Sequence, residues 1–396
     1  MKLAFVVPRY GHDIVGGAET QLREYAEHLV GAGHAIEVLT TCARDHFTWR
    51  NELPAGARTE QGVTVRRFPV TQAKDHGLMA DLHAILDADL PLDRDSQRAW
   101  VENTGHSTGL LEGIEKAAAK VDALIFAPYL FASTVFGVHI APRRSLVVPC
   151  LHDEAYARFD LIQDALCAAA GLLFNSPAEM RLGESLLDGR IPPHRLVGDG
   201  FAELARPPDP DGWRRRRRVD GALVAFAGRR EAAKNFPLLA QWVAAHTLAI
   251  APDRPIRLAA MGRGPIDVPS AARGVVLDLG VVAEDEKYDA MAASLAVAQL
   301  SLYESFSYVI AEGWLSGTPA IVHAGCPVTR EHCERGGGGV WVESVEEFSE
   351  AVSMLLADPA LRARMAVAGR AYILAEYGWP AVIERLVAAA ADLVGR

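Results

Sequence analysis

The sequence has no C-x-x-C pair and only five cysteines in 396 residues (Cys42, Cys150, Cys167, Cys326 and Cys333). An odd, scattered set of that kind excludes a disulfide scaffold and points to reduced thiols in a cytoplasmic setting. There is no run of about 20 apolar residues, so no segment is long enough to span a bilayer as a helix. The apolar run Leu3 to Val7 is far shorter than a signal-peptide core and is closed by Pro8 and Arg9, so it reads as a buried first strand. An excess of positive charge is also lacking. Forty basic against fifty acidic side chains give a net charge of −10, a field that repels polyanions and excludes nucleic acid as a general partner. Aromatics are sparse, and Phe126, Tyr129, Phe131 and Phe136 are spaced too irregularly for a base-stacking platform. Neither domain's first strand-to-helix turn carries G-x-G-x-x-G, which argues against a dinucleotide oxidoreductase.

What is present is the balance of a soluble chain with sizeable cores, 50% apolar and 23% charged, long enough for two large domains. Apolar strands at Leu3 to Val7, Ala35 to Thr41, Val63 to Val70, Ala123 to Ala127, Leu146 to Cys150 and Gly171 to Phe174 alternate with helical stretches. The first helix carries Leu22, Tyr25, Ala26 and Leu29 on one face. Between Arg206 and Arg218 the pattern breaks into a Pro/Asp segment followed by five arginines. A second series follows, with strands at Leu223 to Ala227, Ile256 to Met261, Val275 to Leu279, Leu295 to Leu300 and Ala320 to His323, and everything after Val345 helical. The expected fold is α/β, with two Rossmann-like doubly wound domains, 1–205 and 206–396, facing a central cleft, and with the last helix free to pack back on the first domain.

Two motifs in the second domain carry chemistry. Gly228-Arg229 followed by Lys234 places two cations in a loop after a strand, where they suit a diphosphate. The segment Tyr303-Glu304-Ser305-Phe306-Ser307-Tyr308 follows another strand and opens a helix that also carries Glu312. Its backbone N–H groups suit an anion. Glu304 and Glu312, read as one helix, stand about 12 Å apart along it and can accept hydroxyl hydrogen bonds. Taken singly, each motif also reads as solvated surface.

Together with the Gly16-Gly17-Ala18-Glu19 loop, His152-Asp153 after a mid-domain strand, and Gly262-x-Gly264-Pro265, these motifs in this order resemble the retaining glycosyltransferases of the GT-B fold, family four, over nearly the whole chain. The resemblance implies that Arg229 and Lys234 hold the donor diphosphate and stabilise the leaving group. It implies that Glu304 meets the transferred sugar, Glu312 the nucleotide ribose, and that Gly228, Gly262, Ser305, Phe306, Ser307 and Tyr308 line the donor site. Gly16 and Gly17 would let the first helix approach the ligands without an intervening side chain. His152 would sit near the anomeric carbon, with His12, Asp13, Asp153 and Glu154 as acceptor neighbours. The substrate implied is a nucleotide-diphosphate sugar and the partner an acceptor hydroxyl on a glycan, a lipid-linked intermediate or a small metabolite.

This sequence departs from the family at Ser307, where Gly is usual, and at Asp199-Gly200, where Asn-Gly is common. No cofactor is implied and no metal is expected, since the His323, Cys326, His332, Cys333 spacing is not a usual zinc pattern. The five arginines read as a solvated helix face that lacks the apolar side of an interfacial helix, so at most peripheral contact with the inner membrane face is expected. A nucleotide-sugar epimerase of the same fold and a catalytically silent nucleotide-sugar-binding protein remain open beside the transferase.

Overall fold

In the computed structural model, residues 1–14 and 16–394 are described. The chain forms two units, Met1–Gly200 with Trp379–Arg396, and Phe201–Gly378. The crossover thus lies before the Arg206 boundary placed from composition. Phe201 pairs with Gly378 and takes the Tyr377 carbonyl, which ties both crossing points into the second unit.

The first unit holds eight strands: β1 (Lys2–Val6), β2 (Ala35–Thr41), β3 (Gly56–Glu60), β4 (Val63–Phe68), β5 (Ala123–Phe126), β6 (Ser145–Val147), β7 (Gly171–Phe174) and β8 (His194–Leu196). Their order is β3-β4-β2-β1-β5-β6-β7-β8, parallel except for the β3/β4 hairpin. Alternate residues of β1 enter separate cores. Ala4 and Val6 pack on one face of the sheet, Leu3 and Phe5 on the other. That is why the strand reads as a continuous apolar run and why helices cover both faces. The last helix, Trp379–Leu393, adds Val382, Leu386 and Leu393 to the second of these cores.

The second unit repeats the plan with β9 (Ala222–Ala227), β10 (Ile256–Met261), β11 (Val276–Gly280), β12 (Ala296–Gln299), β13 (Ala320–His323) and β14 (Gly339–Val342), all parallel in the order β11-β10-β9-β12-β13-β14. Here Val224 and Phe226 enter one core and Leu223 and Ala225 the other. The strand order reverses between β9 and β12, and the crevice outside the C-terminal ends of such a pair is where open α/β sheets bind ligands.

Three strands escaped the sequence reading. β3 is an exposed hairpin strand of Gly, Ala, Arg, Thr and Glu, β8 has only three residues, and β14 lies in a glycine-rich stretch. None carries the continuous apolar run that marks a buried parallel strand.

Candidate functional site

The second unit places its motif residues at the reversal between β9 and β12. After β9, Gly228 has φ +150, and after β10, Gly262 has φ +129. A Cβ on Gly262 would lie 1.9 Å from the Gly228 carbonyl oxygen, so only glycine lets these two loops abut. Arg229 is exposed and pairs with Glu231 at 3.1 Å. Its neighbour Arg230 is buried, donating to the Ala260 carbonyl at 2.9 Å and to Asp278 at 2.5 Å, and so knits the loop to β10 and β11.

Lys234 ends a short 3₁₀ turn, Ala232–Lys234. Asn235, at φ +50, donates to the Leu300 carbonyl at 2.7 Å and fastens this turn to the chain leaving β12. The result is a direct contact between the two motifs: Lys234 Nζ lies 2.7 Å from Glu304 Oε1. Gln299, the last residue of β12, donates to the same oxygen at 3.1 Å.

The helix itself spans Tyr308–Leu315, so Glu304 belongs to the loop before it and not to the helix. The helical spacing expected between Glu304 and Glu312 therefore does not apply. What interrupts the helix is Ser307, whose φ of +85 puts it in a left-handed conformation. Its hydroxyl is buried and has no hydrogen-bond partner among the described residues. Phe306 packs into an aromatic core, with ring centroids 4.8 Å from Tyr377 and 4.6 Å from His332. Ser305 and Tyr308 are half-buried beside it. Glu312 pairs with Lys287 at 2.5 Å.

His332 and Cys333 belong to that core. Burial pushes the His332 imidazole down to about 3, and its Nδ1 bonds the Tyr372 hydroxyl at 3.0 Å. Burial also pushes the Cys333 thiol up. Among the described residues no group of three metal-ligating side chains comes together.

The arginine run forms the helix Pro210–Arg217. Arg215 to Arg218 are exposed, as a solvated face would be, yet several of the run also make defined pairs. Arg214 donates to the Ala293 carbonyl at 2.5 Å, Arg216 pairs with Asp289 at 3.1 Å, and Arg217 Nε donates to Glu286 at 2.7 Å. Arg206 joins at Asp289 at 2.9 Å, and Asp289 is only 2% exposed. These cations clasp the helix Glu284–Ala292 and the carbonyl just after it, a pairing that no sequence spacing signals. No described helix is long and apolar enough to cross a membrane.

In the first unit, Gly16 caps the helix Gly17–Gly31. A Cβ there would meet Glu19 Oε2 at 2.1 Å, where Glu19 forms a buried ion pair with Arg9. Gly17 differs: a Cβ there meets nothing within 4 Å among the described residues. His152 is half-buried with Nδ1 3.6 Å from Glu154 Oε2, and Tyr129 donates its hydroxyl to the same oxygen at 3.4 Å. Asp153 is exposed and pairs with Arg158 at 2.5 Å. His12 is exposed, 3.2 Å from Glu27. Asp13 pairs with Arg44, whose hydrogen bond holds the Asp13 carboxyl below the usual range.

A residue the sequence reading missed stands behind His152. Glu179 is buried and accepts the Leu151 and Asn175 N–H groups at 2.6 Å each, while its own N–H donates to Ser176. It thus ties the start of the His152 loop to the end of β7. The Ser-x-x-Glu spacing after a strand is a capping-box signature that could have found it. Burial pushes its carboxyl up to about 8.

With this geometry in place, residues 221–358 match the family described as glycosyl transferases group 1. No protein of curated function matches the sequence. Among solved structures, the chain is similar to a sucrose-phosphate synthase from Thermosynechococcus elongatus, at 16% identity and a TM-score of 0.72, over 99% of this chain and 98% of the other. It is similar to Anabaena HepE in complex with UDP and glucose, at 15% identity and TM-score 0.69, over 99% and 100%. It is also similar to WaaG, a glycosyltransferase involved in lipopolysaccharide biosynthesis, at 14% identity and TM-score 0.65, over the full length of both chains. The fold is therefore that of the GT-B glycosyltransferases.

Proposed function

From a chain whose residues 221–358 are a glycosyl transferases group 1 segment on a GT-B fold, we infer a retaining glycosyltransferase acting on a nucleoside-diphosphate sugar. The observation that carries this reading is the Lys234–Glu304 contact at the strand reversal, a cation and a hydroxyl acceptor side by side where open sheets bind ligands. The HepE neighbour, which carries UDP and glucose, supports a UDP-sugar as the donor to test first.

Arg229 and Lys234 stabilise the charge that grows on the β-phosphate as the bond from the anomeric carbon to the phosphate oxygen breaks. The acceptor oxygen bonds to that carbon from the same face, and its proton passes to the departing phosphate oxygen. Glu304 accepts hydroxyls of the transferred sugar and Glu312 those of the ribose. His152, in the first unit, meets the donor sugar, and His12, Asp13, Asp153 and Glu154 belong to acceptor recognition. Orientation and electrostatics supply the acceleration, with no enzyme nucleophile. The acceptor is a hydroxyl of a glycan intermediate or small metabolite, and the setting is the cytoplasm.

Lys234→Ala is expected to lower kcat/KM by roughly 100-fold, as removal of a transition-state donor does. Assaying donor hydrolysis over a nucleotide-sugar panel tests this, and wild-type turnover in a folded variant would sink the assignment. The anomeric configuration of product against donor, read by NMR, tests retention. Tight donor binding with no turnover of any sugar would favour the binding-protein reading.

A further inference from the structure

Glu312 lies one turn into the helix Tyr308–Leu315 and is 15% exposed; Lys287, its partner at 2.5 Å, is 22% exposed. A carboxylate this sheltered needs a cation or a hydrogen-bond donor beside it. The need grows when a diphosphate arrives nearby, because like charges at partly buried sites repel strongly. A lysine is a flexible point charge, so it fixes a carboxylate only if its own backbone is held. Here it is held. Lys287 sits on the helix Glu284–Ala292, its ammonium 4.9 Å over the Tyr288 ring, and that helix is the one gripped by the arginine run through Asp289 and Glu286.

We propose that Lys287 is a positioning residue for the nucleotide. It holds Glu312 in one orientation through Oε1, leaving Oε2 to accept a ribose hydroxyl, and the arginine helix anchors the Lys287 helix for that purpose. The inference rests on the reading that Glu312 meets the ribose. It gives the Arg214–Arg217 segment a task inside the protein.

The test is calorimetric binding of UDP, GDP, ADP and dTDP to the full chain, as wild type, Lys287→Met, Lys287→Arg, Glu312→Gln and the double variant Lys287→Met/Glu312→Gln. The nucleotide bound by wild type should bind about tenfold more weakly to Lys287→Met and return to within about threefold in Lys287→Arg. The double variant should bind no more weakly than Glu312→Gln, since Lys287 acts through Glu312. With the donor sugar, Lys287→Met should raise KM by about tenfold with kcat changed less than about twofold, a split that general loosening of the fold would not give. Equal binding by wild type and Lys287→Met, or losses that multiply in the double variant, overturns the proposal while leaving the proposed function standing. Failure of wild type to bind any of the four nucleotides overturns the function itself and this inference with it. Where Lys287→Met lowers the melting temperature, Lys287→Arg against Glu312→Gln reads the same coupling.

Discussion

Gly16 and Gly17 are adjacent, yet the structure gives them opposite reasons to be glycine, and a pair of alanine variants separates the two. At Gly16 a methyl group would stand 2.1 Å from Glu19 Oε2 and displace one partner of the buried Arg9–Glu19 pair. Disturbing such a pair costs about 3 kcal/mol. At Gly17 the same methyl meets nothing within 4 Å among the described residues, and the position is the first of a helix, where alanine restricts the unfolded chain at no native cost. Gly17→Ala should therefore stabilise the protein by roughly 0.4–1 kcal/mol. That corresponds to a rise in melting temperature of about 1–4 °C. Gly16→Ala should lower it by several degrees. If the open space over Gly17 is where a ligand approaches the helix start, the same stabilising methyl should cost at least about tenfold in kcat/KM, or 1.4 kcal/mol. Thermal melts and initial rates on the two variants give the four numbers. Gly17→Ala with a higher melting temperature and undiminished kcat/KM would refute the idea that this glycine makes room for a ligand.

Ser307→Gly should raise stability by about 1 kcal/mol, since it relieves a left-handed serine and removes a buried, unpartnered hydroxyl; a lower melting temperature would show that the serine is stabilised in a way the structure does not contain. The two units should respond to pH with opposite sign. The Glu179 carboxyl, raised to about 8 from an ordinary 4.5, gives stability that is fully present below pH 4.5 and lost as the pH rises through 8, on the order of 5 kcal/mol, and Glu179→Gln should flatten that alkaline limb in denaturant titrations. The His332 imidazole, lowered to about 3 from 6.5, gives stability present above pH 6.5 and lost toward pH 3, and His332→Phe should flatten the acid limb; slopes unchanged by either variant would contradict the burial of these groups.

Both sheets were legible because a parallel strand covered on two faces must be apolar at every position, as Leu3 to Val6 and Leu223 to Ala227 are. The motif residues of the second domain were legible because Gly228, Lys234 and Glu304 each follow a strand. What escaped were pairings set by tertiary contact. Nothing in the sequence joins Lys287 to Glu312, or Arg216 to Asp289, since 25 and 73 residues separate them and the charged surface offers many other partners. The arginines are exposed, as composition suggested, but composition could not show that Arg216 and Arg217 also pair with one neighbouring helix. Glu179 was signalled by its capping box, but a glutamate at the third position of a helix gives no sign that one of its oxygens will accept the Leu151 amide of another loop while the other takes Asn175.

A net charge of −10 argues against anion binding only if the cations are free to be screened by their surroundings. In the second unit they are committed: Arg229 to Glu231, Lys234 to Glu304 and Lys287 to Glu312. An anion that draws Lys234 away leaves the sheltered Glu304 with the Gln299 amide but no cation, a loss that a ligand offsets when it also supplies a hydrogen-bond donor for that carboxylate. Phosphate or pyrophosphate has at most a P–OH on the anion itself and no separate hydroxyls for the two glutamates. A nucleoside-diphosphate sugar brings the anion for the lysine and hydroxyls for the glutamates in one molecule, at a spacing fixed by its own bonds. On the proposed reading, the ion pairs of the ligand-free site are thus a means of selection: they raise the cost of binding a bare anion in a cell full of them, and two of the acidic side chains, Glu304 and Glu312, are the groups that read the sugar and the ribose.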